Sequence, residues 1–90
     1  MEALKTLDFE VGVTKVLSLI EWASVQRQYG ISERETEVVR QVIGGATNHE
    51  IARRLYISES TVKTHLVNIF KKVHARNRAE LIVKSLSASL

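Results

Sequence analysis

The feature that most constrains how this chain folds is a series of four helix-start signals within about fifty residues. Three of them, SERE, TNHE and NRAE, place a capping side chain three residues before a glutamate. In such a capping box, each side chain accepts a hydrogen bond from the other residue's unpaired backbone N–H. Ser58 supplies a fourth cap without the glutamate. Because no strand-like alternation separates these signals, they predict an all-α unit of four helices.

The same signals set the expected limits of the helices. The helices are predicted over about residues 33–43, 48–55 and 59–73, with a fourth beginning after Asn77. Gly44 and Gly45 end the first helix, since glycine adopts the left-handed C-cap conformation without a steric clash. The last residues of the chain are expected to fray in part. The residues predicted to face the core are Val38, Val39, Val42, Ile43, Ile51, Ala52, Leu55, Val62, Leu66, Ile69, Phe70, Val73, Ala79, Leu81, Ile82 and Leu86.

Residues 1–30 form a separate segment ahead of the domain expected over residues 31–90. The apolar positions of this segment predict an amphipathic helix with a wide apolar face. These positions are Val13, Val16, Leu17, Leu19, Ile20, Trp22 and Ala23. Three roles are open for the segment: packing on the four-helix unit, forming a dimer interface, or being the remnant of a linker from a larger chain. Lys15 and Glu21 interrupt the apolar stretch, which is too short to cross a bilayer, so we expect no membrane contact.

The residue types that are missing narrow the function. The sequence has no cysteine, which excludes disulfides and thiolate metal sites and makes a reducing cytosol the simplest location. His49, His65 and His74 fall on different helices or on opposite sides of one helix, so we expect no metal site. The sequence shows no nucleophile–base arrangement and no glycine-rich phosphate loop. We therefore expect no enzyme, no catalytic residues and no cofactor.

Positive charge is concentrated in the later part of the chain. Residues 1–31 carry three Lys/Arg and four acids, a balance of −1, whereas residues 32–90 carry ten and six, a balance of +4. From Lys63 to Arg78 there are five Lys/Arg and no acid. A basic run is often only a solvated face, but it also suits a polyanionic partner.

The predicted third helix has two faces of different chemistry. At about 100° per residue, its apolar side chains gather opposite a polar and basic set. This outward set is Ser60, Thr64, Val67, Lys71 and His74, with Lys63 on its flank. Glu59 is the only acid nearby, and it lies in the first turn, where the helix dipole favours it. A face with hydrogen-bond donors and no acidic side chains suits the phosphates and base edges of a DNA groove. The apolar side chain of Val67 suits contact with a thymine methyl group.

With the short helix before it, this helix makes a helix-turn-helix pattern, and a family resemblance makes the pattern specific. Residues 31–82 resemble the LuxR/NarL-type helix-turn-helix domain found at the C-terminus of many bacterial regulators. The matching pieces are SERE, the glycine before the second helix, NHEIARRL, ISESTVKTH, NIFKKV and NRAEL, in order and at the family's spacing. The resemblance implies a four-helix domain over about residues 31–86, whose third helix reads DNA and which commonly binds as a dimer.

The resemblance also implies which side chains meet DNA. The base readers carry over to Lys63 and Thr64, together with Ser60 and Val67. The backbone contacts carry over to Thr47, Asn48, Ser58, Thr61 and Lys71, with Arg53 or Arg54. Three positions depart from the family pattern: His49 stands where lysine is frequent, Val67 where a polar or basic residue is frequent, and Ile31, conservatively, where leucine is usual. A fourth departure is the run VHARNR, which replaces a glycine-bearing link before the fourth helix.

The expected function is sequence-specific binding of double-stranded DNA by a bacterial transcription regulator, or by the C-terminal effector domain of a response regulator. We expect a cytoplasmic, nucleoid-associated homodimer on DNA, with RNA polymerase as a further partner. The alternative from a different class is a protein-interaction module. In that case the basic helix face would bind an acidic partner, and the apolar stretch Val13–Trp22 would dock another helix.

Overall fold

The computed structural model describes Leu17 and residues 19–90, and all regular structure within them is helical. The helices are α1 (Trp22–Tyr29), α2 (Glu33–Ile43), α3 (Asn48–Leu55), α4 (Glu59–Val73) and α5 (Arg78–Ser89). The predicted all-α class and the four-helix unit, α2 to α5, are confirmed. In this part of the chain, no helix has both the length and the apolar content needed to span a membrane.

Side-chain caps begin α2, α3 and α4 as the sequence predicts. The hydroxyls of Ser32 and Thr47 accept hydrogen bonds from the backbone N–H groups of Glu35 and Glu50. The two glutamates return the bond by accepting from the backbone of their cap residues, which completes both boxes. Ser58 caps α4 by accepting from the Thr61 N–H at 3.1 Å.

The third capping box is only half formed, so the predicted reciprocal bond at α5 is wrong. Asn77 Oδ1 accepts from the Glu80 N–H at 2.9 Å, but Glu80 Oε1 accepts from the Arg76 N–H at 3.0 Å. The backbone is more extended at Asn77, with φ −158° against −80° at Ser32, and Glu80 accepts from the N–H of the preceding residue instead. The Arg76 guanidinium also binds Glu80 and holds the pKa of that carboxyl below its ordinary value.

A residue in the left-handed backbone conformation follows each of α2, α3 and α4. After α2 this residue is Gly45 (φ 85°), whereas Gly44 has φ −72° and continues the helical conformation. Tyr56 (φ 57°) ends α3 and His74 (φ 59°) ends α4, although neither is glycine. A side chain of α5 stabilises the end of α4, since the Lys84 ammonium donates to the His74 carbonyl at 2.6 Å.

One core joins all five helices of the described chain. α3 packs against α4, α2 packs against α4 and α5, and α1 packs mainly against α5. The buried apolar residues are Ile20, Val25, Ile31, Val38, Val39, Val42, Ala46, Ile51, Ala52, Val62, Leu66, Ile69, Val73, Ala75 and Leu81. The predicted core positions of α2, α3 and α4 are thereby confirmed, with Ile43, Leu55 and Phe70 half-buried at the margin.

The predicted core face of α5 is partly wrong. Leu81 is buried and Ile82 half-buried as expected, but Ala79 is exposed and Leu86 is 37% exposed. Ser85 is buried instead, and its hydroxyl donates to the Leu81 carbonyl at 2.7 Å, which satisfies the buried polar group. α1 covers this side of α5, so the buried face follows the position of α1 rather than the apolar pattern of α5 alone.

Contacts with α1 also hold the last turn of α5. The helix continues to Ser89, whose Oγ accepts from the Glu21 N–H at 2.6 Å. Near the other end of α1, the Tyr29 hydroxyl donates to the Lys84 carbonyl at 3.2 Å. α5 thus extends through the residues that were expected to fray in part.

The predicted N-terminal helix is interrupted before α1. Val13 and Val16 lie outside the described residues, whereas Leu17 and Leu19 are helical. Ile20 then forms a bend, and α1 begins only after it. The expected continuous helix through this segment is wrong at that bend, which turns Ile20 into the core.

The packing of α1 differs from the predicted apolar face. Ala23 is exposed, and the residue of α1 that is fully buried is Val25. Trp22 packs against the core, and the Arg40 guanidinium of α2 lies over its ring, 5.1 Å from the centroid. These contacts describe packing on the four-helix unit, while a dimer interface and a linker remain predictions for this segment.

An ion pair ties the start of α2 to the end of α4. Lys72 Nζ lies 2.8 Å from Glu35 Oε1, a buried carboxylate that also accepts from the Ser32 N–H at 2.8 Å. Burial opposes ionisation of Glu35, but the bonds from Lys72 and Ser32 outweigh it and hold the pKa of the carboxyl below its ordinary value. The ionised Glu35 carboxylate therefore contributes stability above the ordinary carboxyl pKa. This contribution is lost as pH falls through the pKa of Glu35 in the folded protein.

We predict that Glu35→Gln lowers the free energy of unfolding by roughly 1–2 kcal/mol at about pH 7, because Lys72 and Ser32 then donate to a neutral amide oxygen instead of a carboxylate. The difference from wild type should shrink at acid pH, below the pKa of Glu35 in the folded protein, where the wild-type carboxyl also takes up a proton. Urea unfolding followed by circular dichroism at both pH values measures it. Glu37→Gln is the control, since exposed Glu37 pairs with exposed Arg34, and should change stability by less than about 0.5 kcal/mol. An equal loss for Glu35→Gln at both pH values would contradict the ionic contribution.

Candidate nucleic-acid interface

A short turn fixes the start of α4 relative to α3. Tyr56 takes the left-handed conformation, and the Ile57 N–H then returns to the Ala52 carbonyl at 3.0 Å, as in a Schellman motif. Ile57 packs against the core, and Ser58 caps the next helix. The two helices and this turn make the helix-turn-helix arrangement that the sequence predicts.

α4 presents one side to the core and the other to solvent. Val62, Leu66, Ile69 and Val73 are buried, which confirms the predicted inward stripe. We call the opposite, exposed set the outward face of α4; it consists of Ser60, Lys63, Thr64, Val67, Asn68 and Lys71. All predicted base readers lie on it. Asn68 is a member that the sequence analysis did not single out.

Hydroxyl groups at the start of α4 are already hydrogen bonded. Thr64 Oγ1 donates to the Ser60 carbonyl at 3.1 Å, so its proton is engaged while its lone pairs can still accept a hydrogen bond. Ser58 Oγ lies 2.8 Å from Thr61 Oγ1 and 3.1 Å from Ser60 Oγ. These bonds hold the predicted contact residues of the first turn in one arrangement.

The lysines of the outward face carry charge that no carboxylate offsets nearby. Among the ion pairs of the described residues, none includes Lys63 or Lys71. Between them Val67 is 51% exposed, an apolar side chain on an otherwise polar and basic surface. From Ser60 to Lys71 the face extends about 16 Å at 1.5 Å per residue, a length suited to a helix lying in the major groove.

A hydrogen bond between the two helix starts was not predicted. His49 Nδ1 of α3 lies 2.7 Å from Glu59 Oε1 of α4, so the acid nearest the outward face has a partner. The two residues are on different helices, and no local pattern pairs them. His74 ends α4, and no three His, Cys, Asp or Glu side chains come together as metal ligands in the part of the chain that the structure describes.

The predicted phosphate-contacting residues lie in two groups around the outward face. Ser58, Thr61 and Lys71 are exposed on or beside it, and Thr47, Asn48, Arg53 and Arg54 belong to the start and the outer side of α3. Thr47 Oγ accepts from the Glu50 N–H at 3.2 Å as the cap of α3. Of these residues, Asn48 lines one groove with Lys63 and Val67 of the outward face, whereas Arg53 and Arg54 line another with Glu50 and Tyr56.

The two arginines of α3 are not equivalent. Arg54 donates to Gln41 Oε1 at 2.7 Å and lies 3.5 Å from Glu50 Oε2, so its guanidinium is engaged within the protein. The bond from the Thr47 N–H holds the pKa of the Glu50 carboxyl below its ordinary value, which keeps that carboxylate charged. Arg53 is exposed and is absent from the ion pairs of the described chain, so it is the better candidate for a phosphate.

Arg78 is the residue near this surface that the sequence analysis missed. In the sequence, NRAE is only a capping signal, but in the structure the Arg78 side chain reaches the start of α3. Its guanidinium donates to Asn48 Oδ1 and, at 3.5 Å, to the Ala46 carbonyl. Beside it is an open groove of about 520 Å³ between the starts of α3 and α5 and the outward face. The groove is lined by Asn48, Lys63, Leu66, Val67, Phe70, Asn77 and Arg78.

Comparison with known proteins locates the similarity in this helical unit. Over 52 residues the chain is 50% identical to the CsgBAC operon transcriptional regulatory protein of Escherichia coli, covering 58% of this chain and 24% of that protein. It is 51% identical over 55 residues to the monoamine regulon transcriptional regulator of Klebsiella aerogenes, covering 61% of this chain and 24% of that protein. The chain thus spans about a quarter of the length of these curated relatives. No solved structure gives a significant match.

The family comparison covers the whole helix-turn-helix. The family described as bacterial regulatory proteins, luxR family, matches residues 30–85, which include α2, α3, α4 and the first part of α5. This match extends over more than half of the 90 residues. The resemblance inferred from the sequence is confirmed, and the chain belongs to the luxR family of bacterial regulatory proteins, whose helix-turn-helix domains serve in transcription regulation.

Proposed function

We propose that this chain is the DNA-binding domain of a bacterial transcription regulator and that α4 enters the major groove of double-stranded DNA. The observation that carries the proposal is the outward face of α4, where exposed lysines and short polar groups stand together and the nearest acid, Glu59, is engaged by His49. Such a surface complements phosphate charge and the acceptor-rich floor of the groove. The proposed site of action is nucleoid DNA in the cytoplasm, with RNA polymerase as a further partner.

Base reading is assigned to the middle of the outward face. Lys63 offers an ammonium that can donate to guanine O6 and N7. The Thr64 hydroxyl proton is used within the helix, so this residue offers lone pairs to an amino group of adenine or cytosine. Ser60 lies one turn before Thr64, and Val67 offers methyl groups that fit a thymine methyl.

Phosphate contacts are assigned to the margins of this face. Lys71 lies at the far end of α4, and Ser58 and Thr61 lie at its start. In this arrangement the phosphates of the other DNA strand are contacted from α3 and its cap, by Thr47, Asn48 and Arg53. Arg54 is held within the protein by Gln41 and Glu50. Contacts of this kind set orientation and register, whereas the base readers set sequence preference.

We predict different losses for two lysines of one helix. Lys63→Ala should lower affinity for a cognate duplex by about 1–3 kcal/mol and blur the base preference, because a base-edge donor is lost. Lys71→Ala should lower the affinity for all duplexes similarly. It should also reduce the slope of log affinity against log salt by about 0.9, the contribution of one phosphate contact. Fluorescence anisotropy with cognate and scrambled duplexes at several salt concentrations measures both effects.

Arg27→Ala is the charge-matched control, since Arg27 is exposed on α1, which packs mainly against α5. It should leave cognate affinity within about twofold of wild type, a change of less than 0.5 kcal/mol. Duplex affinity that does not respond to salt would contradict the DNA proposal. Binding of an acidic polypeptide, with no selected duplex, would favour the protein-interaction alternative.

We predict that Val67→Lys changes the preferred base chiefly at one step of the site. An exposed ammonium in place of two methyl groups should exchange a thymine preference for a guanine preference. Selection of bound sites from a random duplex pool, followed by sequencing, compares the variant with wild type. An unchanged selection profile would show that Val67 does not lie next to a base.

We propose that two copies of the chain bind together on two half-sites, and we predict that Leu19 contributes to their contact. Leu19 is 80% exposed and lies ahead of the bend at Ile20, so Leu19→Lys should abolish a concentration-dependent rise in sedimentation coefficient. Substitution is preferable to removal of residues 1–30, because Val25 is fully buried in the core. Val83→Lys on α5 is the control, since Val83 is also an exposed apolar residue. Loss of self-association in Val83→Lys alone would place the contact on α5 and contradict the prediction.

A further inference from the structure

The contact between Arg78 and Asn48 joins the start of α5 to the start of α3. The Arg78 guanidinium donates through Nη2 to Asn48 Oδ1 and through Nη1 to the Ala46 carbonyl, the latter at 3.5 Å. Thirty residues of sequence separate Arg78 from Asn48, so the bond is a tertiary contact between two helix starts. Both side chains are half-buried, which partly shields the bond from water.

This contact determines which end of the Asn48 amide faces outward. A guanidinium has five N–H donors and no acceptor, so it can bind only the oxygen of an amide. With Oδ1 directed at Arg78, the amide NH2 group points away from it. In the described chain no buried side-chain nitrogen or oxygen lacks a partner, and Nδ2 of Asn48 donates no hydrogen bond there. Nδ2 is therefore open to solvent.

The outward-pointing NH2 group lies beside the surface assigned to base reading. Asn48 and Arg78 line the same groove as Lys63 and Val67 of α4. The rim of this groove thus combines a neutral donor from α3 with a cation from α4. A backbone phosphate at the edge of the major groove accepts hydrogen bonds from both kinds of group.

We propose that Arg78 is a positioning residue for DNA binding: by holding Oδ1, it presents the Asn48 NH2 group as a donor to a phosphate beside the groove that α4 occupies. The inference rests on the proposed function of α4. Phosphate oxygens only accept hydrogen bonds, so an amide turned the other way would set its own oxygen against the phosphate charge. Arg78 therefore acts through Asn48 rather than by touching DNA itself.

A double-mutant cycle between the two residues tests the proposal. Arg78→Met removes the donors and the charge but keeps an unbranched apolar side chain, and Asn48→Ala removes the amide. Affinities of the wild type, both single variants and the double variant are measured at one salt concentration, with a duplex selected by the wild type. Circular dichroism melting confirms that each protein is folded at the temperature of the binding assay.

Arg78→Met is expected to lower affinity about tenfold when Asn48 is present, the size of one hydrogen bond to a charged group. In the Asn48→Ala background it should cause only the smaller loss due to its missing charge. Because the charge effect is common to both backgrounds, the excess loss measures positioning alone. A purely structural role would lower the melting temperature without this dependence on Asn48, and that result would overturn the proposal.

Equal losses in both backgrounds would also overturn it, since Arg78 would then act by direct contact or by charge alone. Should Arg78→Met fail to fold, Arg78→Ala takes its place in the cycle, because alanine also removes every donor to Asn48 Oδ1. The same excess loss with Asn48 supports the proposal, and its absence overturns it. A wild type that binds no duplex would refute the proposed function itself, whereas Lys63-dependent binding without coupling would refute only the role of Arg78.

Discussion

The surface assigned to DNA depends on the burial of the opposite side of α4. Val62, Ile69 and Val73 are almost completely buried against α2 and α3, and Leu66 lies with them. Burying an aliphatic side chain fully contributes about 1.5–3 kcal/mol, so four of them contribute an amount comparable with the net stability of a small domain. A rotation of α4 that presented other residues would expose this stripe. The orientation of the outward face is therefore set by the core rather than by the outward residues themselves.

Features that depend on neighbouring residues could be predicted from the sequence. A cap and its partner are three residues apart, and an inward stripe repeats every three or four residues, so both are visible in a short window. This is why the limits of α2, α3 and α4 and the two faces of α4 agree with the prediction. The composition of the outward face was predictable for the same reason, because exposure follows from the position of the buried stripe.

Features that depend on contacts between distant segments could not be predicted. Ser85 is buried because α1 covers α5, and Asn48 is held by an arginine thirty residues away. The reciprocal bond of the third capping box was wrongly predicted for a local reason. The sequence motif does not show how extended the backbone is at Asn77. Among the predicted contact residues, the difference between Arg53 and Arg54 likewise arises from a partner on another helix, Gln41.

The two ends of α4 are both fixed, by the Ser58 cap at its start and the left-handed His74 at its end. An inserted or deleted residue within these limits would turn everything beyond it by about 100°, bringing buried positions to the surface and outward positions into the core. An insertion or deletion inside α4 would therefore disrupt both its buried stripe and its outward face. Under the proposed function, new DNA targets would arise through exchange of single side chains at outward positions, while the length of α4 stays constant.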